Sequence, residues 1–216
     1  MTLFADHTYS RVMVFIDYRN VYEGVRFGLE GTELDLSRLT RILVGDRDLV
    51  GAYIFDGIPK QTDSDDHMPE KTRAYHNFVR EQGFRVIARE SVVKQEGKFV
   101  QKEVDVSLAC EMLEHALMNH FDVAIVVSGD RDFVPAIQKV QSAGKRVEVA
   151  AFSNELNQEC KRAADVYYTL DDLPIMAMRS PVDQGGDARW PISSTCRGTW
   201  GSTTVRCHPW HPSSTS

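Results

Sequence analysis

The stretch that most limits what this chain can fold into is Val123-Ala124-Ile125-Val126-Val127-Ser128-Gly129-Asp130-Arg131-Asp132-Phe133. Five consecutive apolar residues, rich in β-branched types, read as a strand buried on both faces. Ser128-Gly129 then turns the chain, and a helical pattern with Pro135 in its first turn takes over at about 133–143. In open parallel sheets, ligands bind beyond the carboxyl ends of the strands. Asp130 and Asp132 therefore stand where chemistry is usually done.

A second apolar run, Val12 to Ile16, ends in Asp17 and leads into a helical stretch from Tyr18. Leu36, Leu39, Ile42 and Leu43 recur at helical spacing before Gly45. Leu49 to Phe55 reads as a strand, closed by the turn chemistry of Asp56-Gly57-Ile58-Pro59. Residues 60–69 read as a polar loop, although Asp63, Asp65, Asp66 and His67 can be drawn as a metal site. A helix from Pro69 to Gln82 stops at Gly83, and Phe84 to Ala88 is the next strand. Val92 to Val100 alternates about Glu96-Gly97, the pattern of a small hairpin or flap.

Glu103 to Asn119 is predicted to be a helix with an apolar stripe at Leu108, Ala109, Met112, Leu113 and Ala116. Extending that stripe back one turn reaches Asp105. A carboxylate on a core-facing helix side needs a compensating partner, either the helix N-terminus or a cation. After the helix capped by Gly144 come a strand over 145–152, a short helix near 155–163 and a strand over 166–170. This alternation predicts a Rossmann-like α/β three-layer sandwich with a mostly parallel central sheet.

The chain has 216 residues and a formal net charge of −6, which argues against broad adhesion to nucleic acid or anionic membranes. It holds no uncharged apolar run near the ~18 residues of a membrane span. The N-terminal residues lack signal-peptide grammar. Cysteines at 110, 160, 196 and 207 show no disulfide spacing, so reduced thiols and a cytoplasmic location are expected. Residues 1–178 form the expected domain. Residues 179–216 hold all three tryptophans, are rich in Pro, Gly, Ser and Thr, and read as a disordered tail. Cys196, Cys207, His208 and His211 in that tail lack the frame of a zinc site.

Asp17 and Asp130 each follow a buried run, so both belong at one sheet edge. If their strands are neighbours, Asp17, Asp105, Asp130 and Asp132 converge. Two like charges ~4 Å apart repel by about 4 kcal/mol at an effective dielectric of 20. Such a cluster must protonate in part or gather cations. Oxygen-only ligands select hard ions, Mg²⁺ or Mn²⁺. A purely structural alternative assigns Asp132 to capping the next helix and Asp130 to the turn. It leaves Asp17 and Asp105 without roles.

Val14-Phe15-Ile16-Asp17-Tyr18-Arg19-Asn20, Lys102-Glu103-Val104-Asp105-Val106 and Val127 to Phe133 resemble successive motifs of the NYN domain, in the LabA-like branch of the PIN-like nuclease superfamily. Gly144 to Val149, Ser153, Leu156, Ala164 and Asp165 are similar to its closing segment, and the likeness spans about 11–171. The family commonly carries Gly or Gln where Arg19 or Tyr18 stands.

The resemblance implies a metal-dependent ribonuclease with Asp17, Asp105, Asp130 and Asp132 as the acidic residues and Mg²⁺ or Mn²⁺ as cofactor. Asn20 and Ser128 are the polar accessories. Arg19, Lys94, Lys98, Lys102 and Arg131 are the candidates for contact with the backbone of single-stranded RNA, and Tyr18 and Tyr22 for base stacking. A homodimer stays open.

Other readings fit less well. A haloacid-type phosphatase wants Asp-x-Asp after the first strand, a Toprim site wants Glu at position 17, and no Gly-x-Gly-x-x-Gly follows any strand. A catalytically silent module that binds RNA or protein through the same cleft is the non-enzymatic alternative.

Overall fold

The two apolar runs lie side by side at the middle of one sheet, with Val12 opposite Val123 and Ile16 opposite Val127. The computed structural model describes residues 10–26, 32–59, 68–93, 99–100 and 102–178. In chain order these form β1 (Arg11–Asp17), α1 (Tyr18–Arg26), β2 (Thr32–Leu34), α2 (Leu36–Val44), β3 (Asp48–Pro59), α3 (Met68–Glu81), β4 (Arg85–Val93) and β5 (Phe99–Val100). They continue with α4 (Lys102–Leu117), β6 (Val123–Val127), a 3₁₀ turn (Arg131–Phe133), α5 (Val134–Ser142), β7 (Arg146–Ala151), α6 (Gln158–Ala163), β8 (Val166–Thr169) and β9 (Met176–Met178).

The main sheet has seven strands in the order β5-β4-β3-β1-β6-β7-β8. All neighbours pair parallel except β4 with β5. The expected Rossmann-like α/β sandwich with a mostly parallel sheet is therefore the observed fold. From β1 the chain moves to β3 and then outward to β4. It crosses back through α4 to β6, on the other side of β1, and proceeds outward to β7 and β8. The order reverses between β1 and β6, and that seam is the topological switch point where α/β sheets open a crevice.

Side chains of β1 alternate between two cores. Val12, Val14 and Ile16 join Val21, Val25, Leu36, Leu39 and Val79 on the face covered by α1, α2 and α3. Met13 and Phe15 join Val104, Leu108, Met112, Ile137 and Cys160 on the face covered by α4, α5 and α6. With both faces covered, the central strands need apolar residues at every position, which is why they appear as unbroken runs. Gly83 and Gly144 follow α3 and α5 with φ of 95° and 77°, the left-handed conformation that lets a helix end abruptly.

Three expectations change. Asp56 to Pro59 do not close β3 but extend it, pairing with Ala88 to Ser91 of β4. The Asp56 carboxylate is buried, accepting from the Gly57 N–H at 2.8 Å and lying 2.8 Å from His76 Nε2 of α3. With those partners an aspartate tolerates a strand interior. Next, β2 and β9 form a separate antiparallel ribbon that the sequence pattern did not indicate. Finally, the buried stripe of α4 runs Val104, Leu108, Met112 and Ala116, which puts Asp105 on its flank. Pairing of Val92 with Val100 and Val93 with Phe99 agrees with the hairpin. Lys94 and Lys98, the Asp63 to His67 group and the segment 179–216 lie outside the described residues.

Glu148 of β7 is 2% exposed, a buried charge that no sequence pattern singled out. Arg47 Nη1 donates to both its carboxylate oxygens at 2.9 Å, Arg146 Nε lies at 3.2 Å and the Tyr168 hydroxyl donates at 3.3 Å. Arg47 also donates to the carbonyls of Leu43 and Val44, satisfying the end of α2. Removing one partner of a buried ion pair typically costs about 3–5 kcal/mol. Because Arg146 and Tyr168 remain, Arg47→Ala is expected to destabilise the domain by about 2–3 kcal/mol. Urea denaturation checks this, and an unchanged midpoint refutes the assigned role of the pair.

Candidate active site

Asp17 ends β1 and Ser128 follows β6, so the parallel register sets them next to each other at the switch point. Asp17 continues the face of β1 that looks toward α4, and it is 6% exposed. The Asn20 backbone N–H donates to its Oδ1 at 3.3 Å, in the manner of a helix N-cap for α1. The Ser128 hydroxyl donates to its Oδ2 at 3.1 Å.

The loop after β6 is pinned from several sides. Asn20 Oδ1 accepts the Gly129 N–H at 3.0 Å, and Ser128 Oγ accepts the Asp130 N–H at 3.3 Å. The Gly129 carbonyl accepts the Asn157 N–H at 2.9 Å. A Cβ on Gly129 would stand 2.7 Å from the Glu155 carbonyl carbon and 2.8 Å from Leu156 Cα. Only glycine allows that approach of two backbones. Phe133, 1% exposed, anchors the far end of the loop in the core beneath α4.

Asp130, not Asp132, supplies the cap expected here. Its Oδ1 accepts the Asp132 N–H at 2.9 Å and caps the 3₁₀ turn. That turn is interposed before α5, so Asp132 falls inside it and its exposed carboxylate caps nothing.

Asp105 lies in the first turn of α4, half-buried at the same edge. Electrostatics tie the carboxylates together. Burial pushes Asp17 up to about 7, opposed by the Asn20 N–H and the Ser128 hydroxyl, and Asp105 and Asp130 raise it further. Burial pushes Asp105 up to about 6, Asp130 and Asp132 add to the rise, and Arg19 opposes it. Sequence reasoning placed Asp17, Asp105, Asp130 and Asp132 in one site, and in the structure each stands within the field of at least one of the others. The expected accessories Asn20 and Ser128 are there too, as bonding partners of the acidic loop. Arg131 is exposed on the loop's rim, and Lys102 opens α4.

The donor set is all oxygen and anionic, the chemistry of a hard cation. Among the described residues, no three His, Cys, Asp or Glu side chains form a ready-made metal cage.

Sequence reasoning missed the ion pair between Arg19 Nε and Glu23 Oε1, 2.8 Å apart on α1 beside the site. The spacing of the two residues at i and i+4 was the available signal.

The raised Asp17 fixes the sign of a pH effect. The folded chain holds that proton more tightly than an unfolded chain, whose carboxyl titrates near 3.8. Folded stability therefore falls as pH rises from about 4 to about 7. In EDTA, Asp17→Asn is expected to match wild type near pH 4 and to exceed it at pH 8 by on the order of 1–3 kcal/mol. Thermal melts across that range check this; parallel curves for the two proteins refute it.

Comparison with known proteins bears on the family and the fold. The NYN domain profile matches residues 11–171, a span that includes every acidic residue of the site. A crystal structure of a protein of unknown function from Vibrio parahaemolyticus superposes with a TM-score of 0.61 at 22% identity, covering 78% of this chain and 98% of that one. That likeness carries the fold. No curated protein matches. The chain belongs to the NYN domain family, within the PIN-like nuclease superfamily.

Proposed function

We propose that this protein is a cytoplasmic, Mg²⁺- or Mn²⁺-dependent ribonuclease of the LabA-like branch that hydrolyses phosphodiester bonds of single-stranded RNA. The observation that supports it is a buried carboxyl at the switch point of the sheet, Asp17, whose ionisation is opposed by Asp105 and Asp130. A cation relieves that opposition. Capping of α1 does not explain the charge, because an asparagine could accept the Asn20 N–H from the same place without repulsion.

In this reading Asp17 and Asp130 hold the ion, and Asp132 completes its surroundings directly or through water. A hard divalent ion supplies two things there, a lowered pKa for a nearby water and positive charge beside the scissile phosphate. Asp105, with its carboxyl near pH 6, accepts the proton from the attacking water. The water oxygen forms a bond to phosphorus as the bond from phosphorus to the 3′ oxygen breaks, leaving 5′-phosphate and 3′-hydroxyl ends. Ser128 and Asn20 act mainly as positioning residues, since their side chains already bond Asp17 and the loop. The Asn20 amide N–H group remains for a phosphate oxygen.

The second reading, a silent binding module, draws on the lack of a closed three-ligand cage among the described residues. Cleavage of defined single-stranded RNAs separates the two. Activity is expected with Mg²⁺ and none with EDTA. Asp17→Asn or Asp130→Asn should lose at least about 100-fold in kcat/KM, and Ser128→Ala about tenfold. RNA retention without cleavage and without metal dependence would select the silent module.

A further inference from the structure

We infer that Arg19 is the substrate-binding residue that grips a phosphate next to the scissile bond, and that Glu23 is the positioning residue that aims it. The inference rests on the nuclease reading and adds a residue to it. Arg19 sits in the first turn of α1, between Asp17 and Asn20. Its Nε donates to Glu23 Oε1 at 2.8 Å, which fixes the plane of the guanidinium. Among the described residues, its two terminal nitrogens make no hydrogen bond. They form a planar fork that matches two oxygens of a phosphodiester. Arg19 stands two residues after Asp17, in the turn whose Asn20 N–H the Asp17 carboxylate accepts, which places it at the acidic edge of the sheet.

Helix stability does not explain this placement. A cation in the first turn opposes the helix dipole, which favours anions there. The order Arg then Glu at i and i+4 is also the less favourable orientation for such a pair. Exposed pairs of this kind contribute only a few tenths of a kcal/mol. Function supplies the missing reason. A phosphate approaching Asp17, Asp105, Asp130 and Asp132 meets four carboxylates, and a fixed guanidinium at their rim offsets that repulsion.

The experiment pairs cleavage with equilibrium binding of a fluorescein-labelled single-stranded RNA, read by anisotropy in EDTA and in Ca²⁺ over a series of salt concentrations. Arg19→Ala should weaken binding about 10- to 100-fold and flatten the salt dependence of log Kd by about 0.7, the loss of one phosphate contact to a single strand. Arg19→Lys should restore the slope and only part of the cleavage rate, because lysine offers charge without the fork. Glu23→Leu, which removes the acceptor of the Arg19 Nε–H, should raise KM more than it lowers kcat, and Glu23→Gln, which keeps an acceptor, should restore most of the KM. Arg41→Ala on α2 serves as the exposed-arginine control and should leave the slope unchanged. Melting of Arg19→Ala at or above the wild-type temperature separates its effect from misfolding.

Wild-type affinity and slope in Arg19→Ala overturn the inference, and so does a wild-type protein that binds no RNA. If wild type binds RNA without cutting it, the nuclease reading fails by itself. In that case the binding series still decides the role of Arg19.

Discussion

The constraint on which the rest depends is the burial of one carboxyl, that of Asp17, at the seam between β1 and β6. The residues behind it are apolar and closed to water on both faces. Two donors, the Asn20 N–H and the Ser128 hydroxyl, compensate for the lost hydration, yet burial still dominates and holds the group near neutral pH. A fold optimised for stability alone would put a neutral residue there. The sheet tolerates the strain because its central strands are anchored by apolar side chains in two cores. One unfavourable group is small against that total.

The loop after β6 is organised around the same group. It is bonded to α1 through Asn20, to the segment before α6 through Gly129, and to the core through Phe133. Three elements far apart in sequence therefore set the position of Asp130 relative to Asp17. Such a loop behaves as part of the scaffold, which is what a site with tolerances of a fraction of an ångström needs. The division of labour is visible in the bonds. Ser128, Gly129 and Asn20 fix the geometry, while Asp105, half-buried, and Asp132, exposed, supply charge at the same edge.

Much of this was legible in the chain itself, for a physical reason. A strand covered on both faces must be apolar at every position, so β1, β6 and β7 stand out without knowledge of their partners. Acids ending such runs then fall at one edge by topology. What could not be read depended on distant partners. Asp56-Gly57-Ile58-Pro59 has the composition of a turn, and only His76 and β4 make it a strand. Glu148 looks like the polar position of an alternating strand, and Arg47, about a hundred residues earlier, turns it into a buried ion pair. The ribbon of β2 and β9 has three residues in each strand, too few for any period to show. The exchange of capping roles between Asp130 and Asp132 follows from a single interposed 3₁₀ turn, a detail below the resolution of residue patterns.

On the proposed function, the acidic balance of the chain, formally −6, and an RNA substrate would be reconciled at this site by competition for its oxygens. Two species relieve the repulsion among Asp17, Asp105 and Asp130, a proton or a cation. Burial, with Asp105 and Asp130 adding to it, lets Asp17 keep its proton well above the usual carboxylate range. Any divalent ion must displace that proton, so metal affinity rises with pH through the neutral range. Until it is displaced, the site is less charged and repels a phosphate less, but it lacks the means to activate water. With an ion bound, local charge would move toward neutrality from the other direction, and an RNA phosphate would be drawn in by the ion and by Arg19. In the proposed nuclease, binding of metal and binding of RNA would then favour each other, for a reason that lies in the burial of one side chain and not in the net charge of the surface.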